Sequence, residues 1–159
     1  MEGASVTLHD VTAMTDETWE TLDDADAIIF GSPTYMGTTS KEFSAFSQQS
    51  SGPWFEEKWV GKVAGGFTIS LSPSGDKSNV FNVLMTLANQ HGMLWVSLGH
   101  GPGLGDPNAI NRMGYYSGAA AQFDNNHSGD DATKGDIETA IAYGQRVAET
   151  ARALKRGRA

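Results

Sequence analysis

The chain has 159 residues, of which 39% are hydrophobic and 19% charged, values expected of one globular domain over residues 1–159. Its formal net charge of −8 argues against general binding to nucleic acids or anionic membranes, because like charges repel. It contains no cysteine, which excludes disulfides and thiolate catalysis and suits a cytoplasmic protein.

The first half of the chain reads as two strands, each followed by a helix. Residues 5–11 alternate between apolar and polar side chains, which predicts a half-exposed strand near a sheet edge. Thr15 is placed to cap a short acidic helix that runs to about Leu22. Residues 27–30 are all apolar, as is typical of a strand buried on both faces. A T-x-x-E pattern at Thr39 predicts the start of the next helix.

The second half repeats this alternation of strands and helices. Residues 63–69 and 94–98 are apolar runs that predict two more strands, and residues 80–87 carry apolar side chains at helical spacing. A long apolar stripe that ends near Arg156 predicts the last helix. Strands that alternate with helices favour a mostly parallel sheet with helices on both faces, which is a three-layer α/β/α fold.

The loop after the strand at residues 27–30 combines groups that suit a flat aromatic ligand. Residues 31–37 offer two hydroxyls, a stiffening proline, and the broad faces of a tyrosine and a methionine between two glycines. In open parallel sheets, ligands bind just beyond the carboxyl ends of the strands. An ordinary strand-to-helix turn explains the same pattern. The candidate binding residues of this loop are Ser32, Pro33, Thr34, Tyr35, Met36 and Gly37.

Two other loops carry candidate functional groups. Residues 70–75 form a second hydroxyl-rich loop, which lacks the glycine spacing and the Gly-Lys pair of a phosphate-binding P-loop. Trp54, Phe55 and Trp59 predict a lid over a pocket or an interface, with a plain hydrophobic anchor as the alternative. Because three exposed aromatic side chains are unfavourable in water, we expect a homodimer or homotetramer. The histidines lack metal-ligand spacing, so we expect no metal site.

Several segments, taken together, resemble a known family. Residues 31–37 resemble its loop along the isoalloxazine ring, and residues 49–54 resemble the segment that brings a tryptophan over the quinone site. Residues 67–75, with residues 87–93, resemble the second flavin loop, its helix and a His-Gly turn. The chain thus resembles the flavodoxin-like NAD(P)H:quinone oxidoreductases of the WrbA type and the related NADPH-dependent FMN reductases. This resemblance implies a flavodoxin-like fold.

The same resemblance implies a function and a set of site residues. It implies a flavoprotein oxidoreductase in which FMN passes electrons from NAD(P)H to a quinone or similar acceptor, with no catalytic side chain. It also implies that both hydroxyl-rich loops hold the flavin and that Trp54 and His91 line the substrate site. The second-loop residues concerned are Ile69, Ser70, Leu71, Ser72 and Ser74. Leu71 and Pro73 depart from the glycine- and threonine-rich loop of the family.

The resemblance further implies that the domain is N-terminally truncated. Flavodoxin-like domains begin with a strand and a loop that cradles the FMN phosphate, and nothing before Ser5 matches that unit. That strand is central in the flavodoxin strand order. Either the predicted strand at residues 6–8 fills its place, or another chain does, or the sequence is a shortened version of a longer one. We favour the last and expect residues 1–159 to bind FMN weakly or not at all.

Two other functions stay open on the sequence. A flavodoxin-type electron carrier would bind FMN without a small-molecule substrate, and the acidity of the chain suits a basic redox partner. A non-catalytic flavodoxin-like protein with impaired FMN binding is consistent with the absent phosphate loop. Oxidation of NAD(P)H with and without a quinone separates the enzyme from the carrier, and a colourless protein favours the third function.

Overall fold

The computed structural model describes residues 3–123 and 132–158. Strands and helices alternate along these segments. The strands are β1 (Ala27–Tyr35), β2 (Thr38–Thr39), β3 (Val63–Ser70), β4 (Leu94–Trp95) and β5 (Ala119–Gln122). The helices are α1 (Asp16–Asp24), α2 (Lys41–Gln49), α3 (Ser51–Phe55), α4 (Lys77–Gln90) and α5 (Lys134–Arg158).

The strands form one mostly parallel sheet in which β3 is the central strand. β1 runs parallel to β3 in continuous register from Ala27 opposite Val63 to Pro33 opposite Ile69. β4 and β5 both pair in parallel with β3, and only β2 is antiparallel, as a short hairpin on β1. The predicted parallel sheet is therefore confirmed, and so is the flavodoxin-like α/β class.

One edge of β3 is shared by two short strands, and a tyrosine closes the space between them. β4 pairs with the start of β3, and β5 pairs with its end. Between them, the Tyr143 hydroxyl accepts a hydrogen bond from the Gly66 amide at 3.1 Å and donates one to the Val96 carbonyl at 2.7 Å. A side chain from α5 thus replaces the ladder hydrogen bonds that a continuous strand would supply.

Two hydrophobic clusters bury the two faces of the sheet. The first is aromatic and joins Phe30 of β1 to Phe43 and Phe46 of α2. The second joins Val63 of β3 to Val147 of α5. Helices on both sides of the sheet are what the alternating sequence predicted.

The helix starts agree with the predicted caps to within one residue. The Thr15 hydroxyl accepts from the Thr18 amide at 3.2 Å, as expected for the start of α1. At α2 the cap is Ser40, whose hydroxyl accepts from the Phe43 amide at 3.2 Å. The capping box predicted at Thr39 is therefore not formed, because Thr39 is held in the β2 hairpin and Phe43, not Glu42, stands three residues after the actual cap.

Three sequence predictions about apolar residues were wrong. Residues 5–11 form no strand, and Val6 and Leu8 are 78% and 92% exposed. Alternation alone does not make a strand, because it stabilises one only when a neighbour pairs with it. Trp59, predicted to be exposed, is fully buried among the aromatic rings of the first cluster, where its indole donates to Asp23 at 2.7 Å. The strand predicted over residues 94–98 ends at Trp95.

On the sheet face opposite α2, the ring of Phe67 lies across the neighbouring strand. A β-carbon built on Gly31 would overlap the tip of this ring, so a side chain at position 31 would displace Phe67. Phe67 and Ile29 both remain partly exposed on this face. The face carries the apolar side chains of two strands with incomplete cover.

We expect Tyr143→Phe to destabilise the fold by about 2–4 kcal/mol. The variant keeps the ring but leaves the Gly66 amide and the Val96 carbonyl without their partner, at about 1–3 kcal/mol for each buried group. Urea denaturation at pH 7 measures the change. Tyr116→Phe is the matched control, because Tyr116 is exposed. A Tyr143→Phe change below about 0.5 kcal/mol, the range of ordinary surface substitutions, would contradict the bridging role.

Candidate functional site

The two hydroxyl-rich loops meet at the carboxyl edge of the sheet. The hydroxyls of Thr34 on β1 and Thr68 on β3 lie 2.7 Å apart in a buried hydrogen bond. The Asn79 amide of α4 donates to the Gly37 carbonyl at 2.8 Å, which joins the first loop to the helix that follows the second. The expected convergence of the loops is confirmed, and it follows from the parallel register of β1 and β3.

Side chains of the first loop divide into those that hold the loop and those that face outward. Ser32 is buried, accepting from the Ser40 amide at 3.0 Å and donating to the Pro33 carbonyl at 2.9 Å. Tyr35 and Met36 are exposed beside the hairpin turn, where Met36 has a φ of 47°. The hydroxyl of Ser32 thus serves the fold, and the exposed faces available to a ligand are those of Tyr35 and Met36.

The second loop, residues 70–75, is held through its carbonyl groups. The side-chain amide of Gln122 donates to the Leu71 carbonyl at 3.0 Å. The Lys77 ammonium donates to the carbonyls of Ser72 at 2.6 Å and Pro73 at 3.0 Å. The Tyr115 hydroxyl donates to the Ser74 carbonyl at 2.9 Å. Across the part of the chain that the structure describes, the amides of Ser72, Ser74 and Gly75 donate no hydrogen bond.

Lys77 is fully buried below this loop, which the sequence analysis did not predict. Burial lowers the pKa of its ammonium to about 8, with nearby Asp136 raising the pKa and Arg112 lowering it. Its position was a usable signal, because Lys77 begins α4, where the helix dipole disfavours a cation. A cation in an unfavourable helical position indicates another set of partners, here two loop carbonyls.

A buried ion pair anchors the other side of the second loop. Arg112 donates to both carboxylate oxygens of Asp136, at 2.8 and 2.7 Å. Asp136 also accepts a hydrogen bond from the backbone amide of Gln122 in β5 at 2.9 Å. The pair therefore holds β5, and with it the Gln122 side chain that reaches the loop.

Trp54 and His91, the predicted substrate-site residues, lie at the opposite end of α4 from the loops. The Trp54 indole donates to the Gln90 carbonyl at 2.9 Å. Trp54 and His91 both line a groove of about 610 Å³ between α2 and α4. The groove also reaches Asn79, which contacts the first loop. Because α4 has 14 residues, its two ends are about 21 Å apart.

His91 is packed as a neutral, buried ring. It stacks on Trp59 with 4.1 Å between ring centroids, and its Nε2 lies 2.9 Å from the Ser50 hydroxyl. Its Nδ1 is buried and makes no hydrogen bond to the described residues. Burial lowers the pKa of His91, which favours the uncharged form at neutral pH.

The central parallel sheet, with loops converging at its carboxyl edge, defines a flavodoxin-like α/β protein. A family model for NADPH-dependent FMN reductases matches residues 4–100, and the chain belongs to that family.

Named relatives agree with this assignment. The chain is 38% identical to flavodoxin FldP of Pseudomonas aeruginosa over 96% of this chain and 86% of that protein. It is 35% identical to an NAD(P)H dehydrogenase (quinone) of Archaeoglobus fulgidus over 85% of this chain and 64% of that protein. The crystal structure of the flavodoxin, WrbA-like protein from Agrobacterium tumefaciens matches with a TM-score of 0.71 and 46% identity. That match covers 88% of this chain and 74% of the solved one.

The described residues fit the FMN that the family name implies. The amides of the second loop that donate no hydrogen bond supply donors for the polar edge of a flavin, and the exposed Tyr35 ring supplies a flat apolar face. No helix within residues 3–123 and 132–158 is long and apolar enough to cross a bilayer. The same residues contain no His, Asp and Glu cluster that could hold a metal ion.

We expect the stability of the protein to rise with pH through the titration of Lys77. The unfolded chain binds this proton more tightly, with an ordinary pKa of 10.5 against about 8 in the fold. The free energy of unfolding therefore rises between these pH values. From pH 7 to 9.5 the gain is about 2 kcal/mol, at about 1.4 kcal/mol per pKa unit. Urea denaturation at both pH values measures it.

Lys77→Met is the comparison, because it cannot titrate and loses this gain. Lys62, whose pKa is also lowered by burial, contributes equally to both proteins. Tyr143, whose pKa burial raises to about 12, affects stability mainly above this pH range. Equal pH dependence in the two proteins would contradict a buried, titrating Lys77.

Proposed function

We propose that this protein is an FMN-dependent oxidoreductase that passes electrons from NAD(P)H to a quinone or similar acceptor. The observation that carries this proposal is the meeting of two loops at the carboxyl edge of the sheet. One loop exposes Tyr35, and the other has amides that donate no hydrogen bond to the described residues. Membership of the NADPH-dependent FMN reductase family supports it. The name of the archaeal relative supports the quinone as acceptor.

The protein would bind and orient the flavin, which when bound supplies hydride and electron transfer. Tyr35 and Met36 would cover one side of the ring, and the amides of the second loop would meet its polar edge. No side chain is needed as a nucleophile or a general base.

We also propose that Trp54 lies over the flavin of a second copy, in a homodimer or homotetramer, with the buried His91 lining the same groove. Within one copy they lie at the far end of α4 from the loops. Trp54 is half exposed and Phe55 is 82% exposed, so this end of the molecule carries an apolar surface that association would cover. A neighbouring copy could bring that surface to the flavin loops, in the cytoplasm that the lack of cysteine suits.

We expect Tyr35→Ala to weaken FMN binding about 5- to 30-fold without changing stability. The side chain is exposed, and loss of an aromatic contact to a flat ligand removes about 1–2 kcal/mol. Quenching of flavin fluorescence measures the affinity. Val60→Ala is the control, because Val60 is exposed but precedes β3, at the opposite edge of the sheet. Equal FMN affinity in Tyr35→Ala and the wild type would remove this residue from the site.

A flavodoxin-type electron carrier is the second candidate function. It is favoured by the 38% identity to a protein named flavodoxin over 96% of this chain. Oxidation of NADH and NADPH, each with and without a quinone, separates the two functions. Quinone-dependent oxidation supports the enzyme, whereas bound FMN without oxidation of either nucleotide supports the carrier.

We expect Phe55→Glu to lower the oligomeric state. A charge at an exposed aromatic position opposes burial of that surface against another copy. Sedimentation velocity at micromolar concentration measures the mass of the particle. Leu104→Glu is the control, because Leu104 is an exposed apolar residue of a separate loop. A wild-type monomer, or an unchanged mass in Phe55→Glu, counts against this interface.

A further inference from the structure

Three side chains that come from different parts of the chain hold the second loop by its carbonyls. Lys77 begins α4, Gln122 ends β5, and Tyr115 lies in the segment between β4 and β5. Together they donate to four consecutive carbonyls, those of Leu71, Ser72, Pro73 and Ser74. We call Lys77, Gln122 and Tyr115 the inner cradle.

The direction of the loop amides follows from these carbonyl contacts and from the geometry of the peptide bond. In a planar trans peptide, the N–H of one residue points opposite to the C=O of the residue before it, and no described peptide bond is cis. The amides of Ser72, Ser74 and Gly75 follow the held carbonyls of Leu71, Pro73 and Ser74. These three amide hydrogens therefore point away from the inner cradle.

Pro73 fits this arrangement at the one remaining peptide. The carbonyl before it, that of Ser72, is held by Lys77, but proline has no amide hydrogen to present. Its fixed φ also limits the conformations of the loop. The departure from a glycine-rich loop is thus compatible with a row of three presented amides.

The burial of Lys77 and its hydrogen bonds indicate that its side chain stabilises the loop and not the helix. A fully buried ammonium is costly unless it is hydrogen-bonded. Its ammonium donates hydrogen bonds to the loop carbonyls of Ser72 and Pro73. The other charged groups that act on it are the paired Asp136 and Arg112.

We propose that Lys77, Gln122 and Tyr115 are positioning residues that orient the Ser72, Ser74 and Gly75 amides toward the polar edge of the flavin. This role rests on the proposed function, because it takes FMN as the ligand of the loop. The cradle orders the loop before the flavin arrives, so the amides need no reorganisation on binding. Donors so fixed also favour the electron-rich reduced flavin over the oxidised one.

The test compares Lys77→Met with the wild type, using Lys41→Met as the matched control, because the Lys41 side chain is 92% exposed. In FMN-free protein, ¹⁵N relaxation gives the order parameters of the Ser74 and Gly75 amides. We expect about 0.85 in the wild type and in Lys41→Met, and below about 0.6 in Lys77→Met. FMN affinity falls about 10- to 100-fold in Lys77→Met, as for loss of one charge-assisted hydrogen bond. The midpoint potential of its bound FMN becomes more negative.

If Lys77→Met does not fold, Tyr115→Phe takes its place with Tyr116→Phe as control. Tyr115→Phe keeps the ring on Phe81 and removes the hydroxyl from the Ser74 carbonyl, which retains its hydrogen bond from the Lys77 backbone amide at 3.1 Å. We expect the Gly75 amide to loosen and FMN to bind more weakly. Unchanged order parameters, or unchanged FMN affinity with a loosened loop, overturn the positioning role. If the wild-type protein binds no FMN, the proposed function fails, whereas the order parameters still decide whether the cradle holds the loop.

Discussion

The hydroxyl group of Tyr143 connects the parts of the sheet on which the site depends. It joins the Gly66 amide of β3 to the Val96 carbonyl just beyond β4, where neither β4 nor β5 pairs with β3. The chain can therefore leave the sheet after β4 and return as β5. That excursion carries Arg112 and Tyr115, and the return ends at Gln122. Residues far apart in the sequence thus reach one loop because a helix side chain closes the interrupted sheet edge.

Two cations lie beside the second loop although the whole molecule is acidic. The chain carries a formal net charge of −8, yet Lys77 and Arg112 lie together beside the second loop. Asp136 balances Arg112 through two hydrogen bonds. Lys77 is left with loop carbonyls as its direct partners, so its charge polarises the loop backbone. A local cation of this kind favours ligands that gain negative charge on reduction.

The sequence predicted those features that depend on local pattern. The apolar runs of β1 and β3 identified the parallel strands, and the convergence of their loops followed from strand direction alone. Features that depend on distant partners were missed or wrong. Val6 and Leu8 alternate as in a strand but pair with no strand among the described residues. Trp59 looked like a surface aromatic residue because its partners lie on other elements.

In the candidate site, too, the sequence predicted some residues and missed others. The exposed Tyr35 and Met36 were found from the loop chemistry that follows β1. The separation of Trp54 from the flavin loops was not found, because it depends on the direction in which α4 returns across the sheet. Lys77 was not predicted as a site residue, because its unfavourable position at the start of α4 does not reveal which two carbonyls enclose it.

Gly31 and Phe67 face each other across the ladder of β1 and β3. The Phe67 ring occupies the space that a side chain at position 31 would need. The residue sizes that the two positions tolerate therefore depend on each other. A larger residue at 31 requires the Phe67 ring to move aside or a smaller residue at 67, so covariation of the pair among homologues is the expected signature. The ring also covers the β1 backbone at Gly31, and this cover offsets part of the cost of a glycine within a strand.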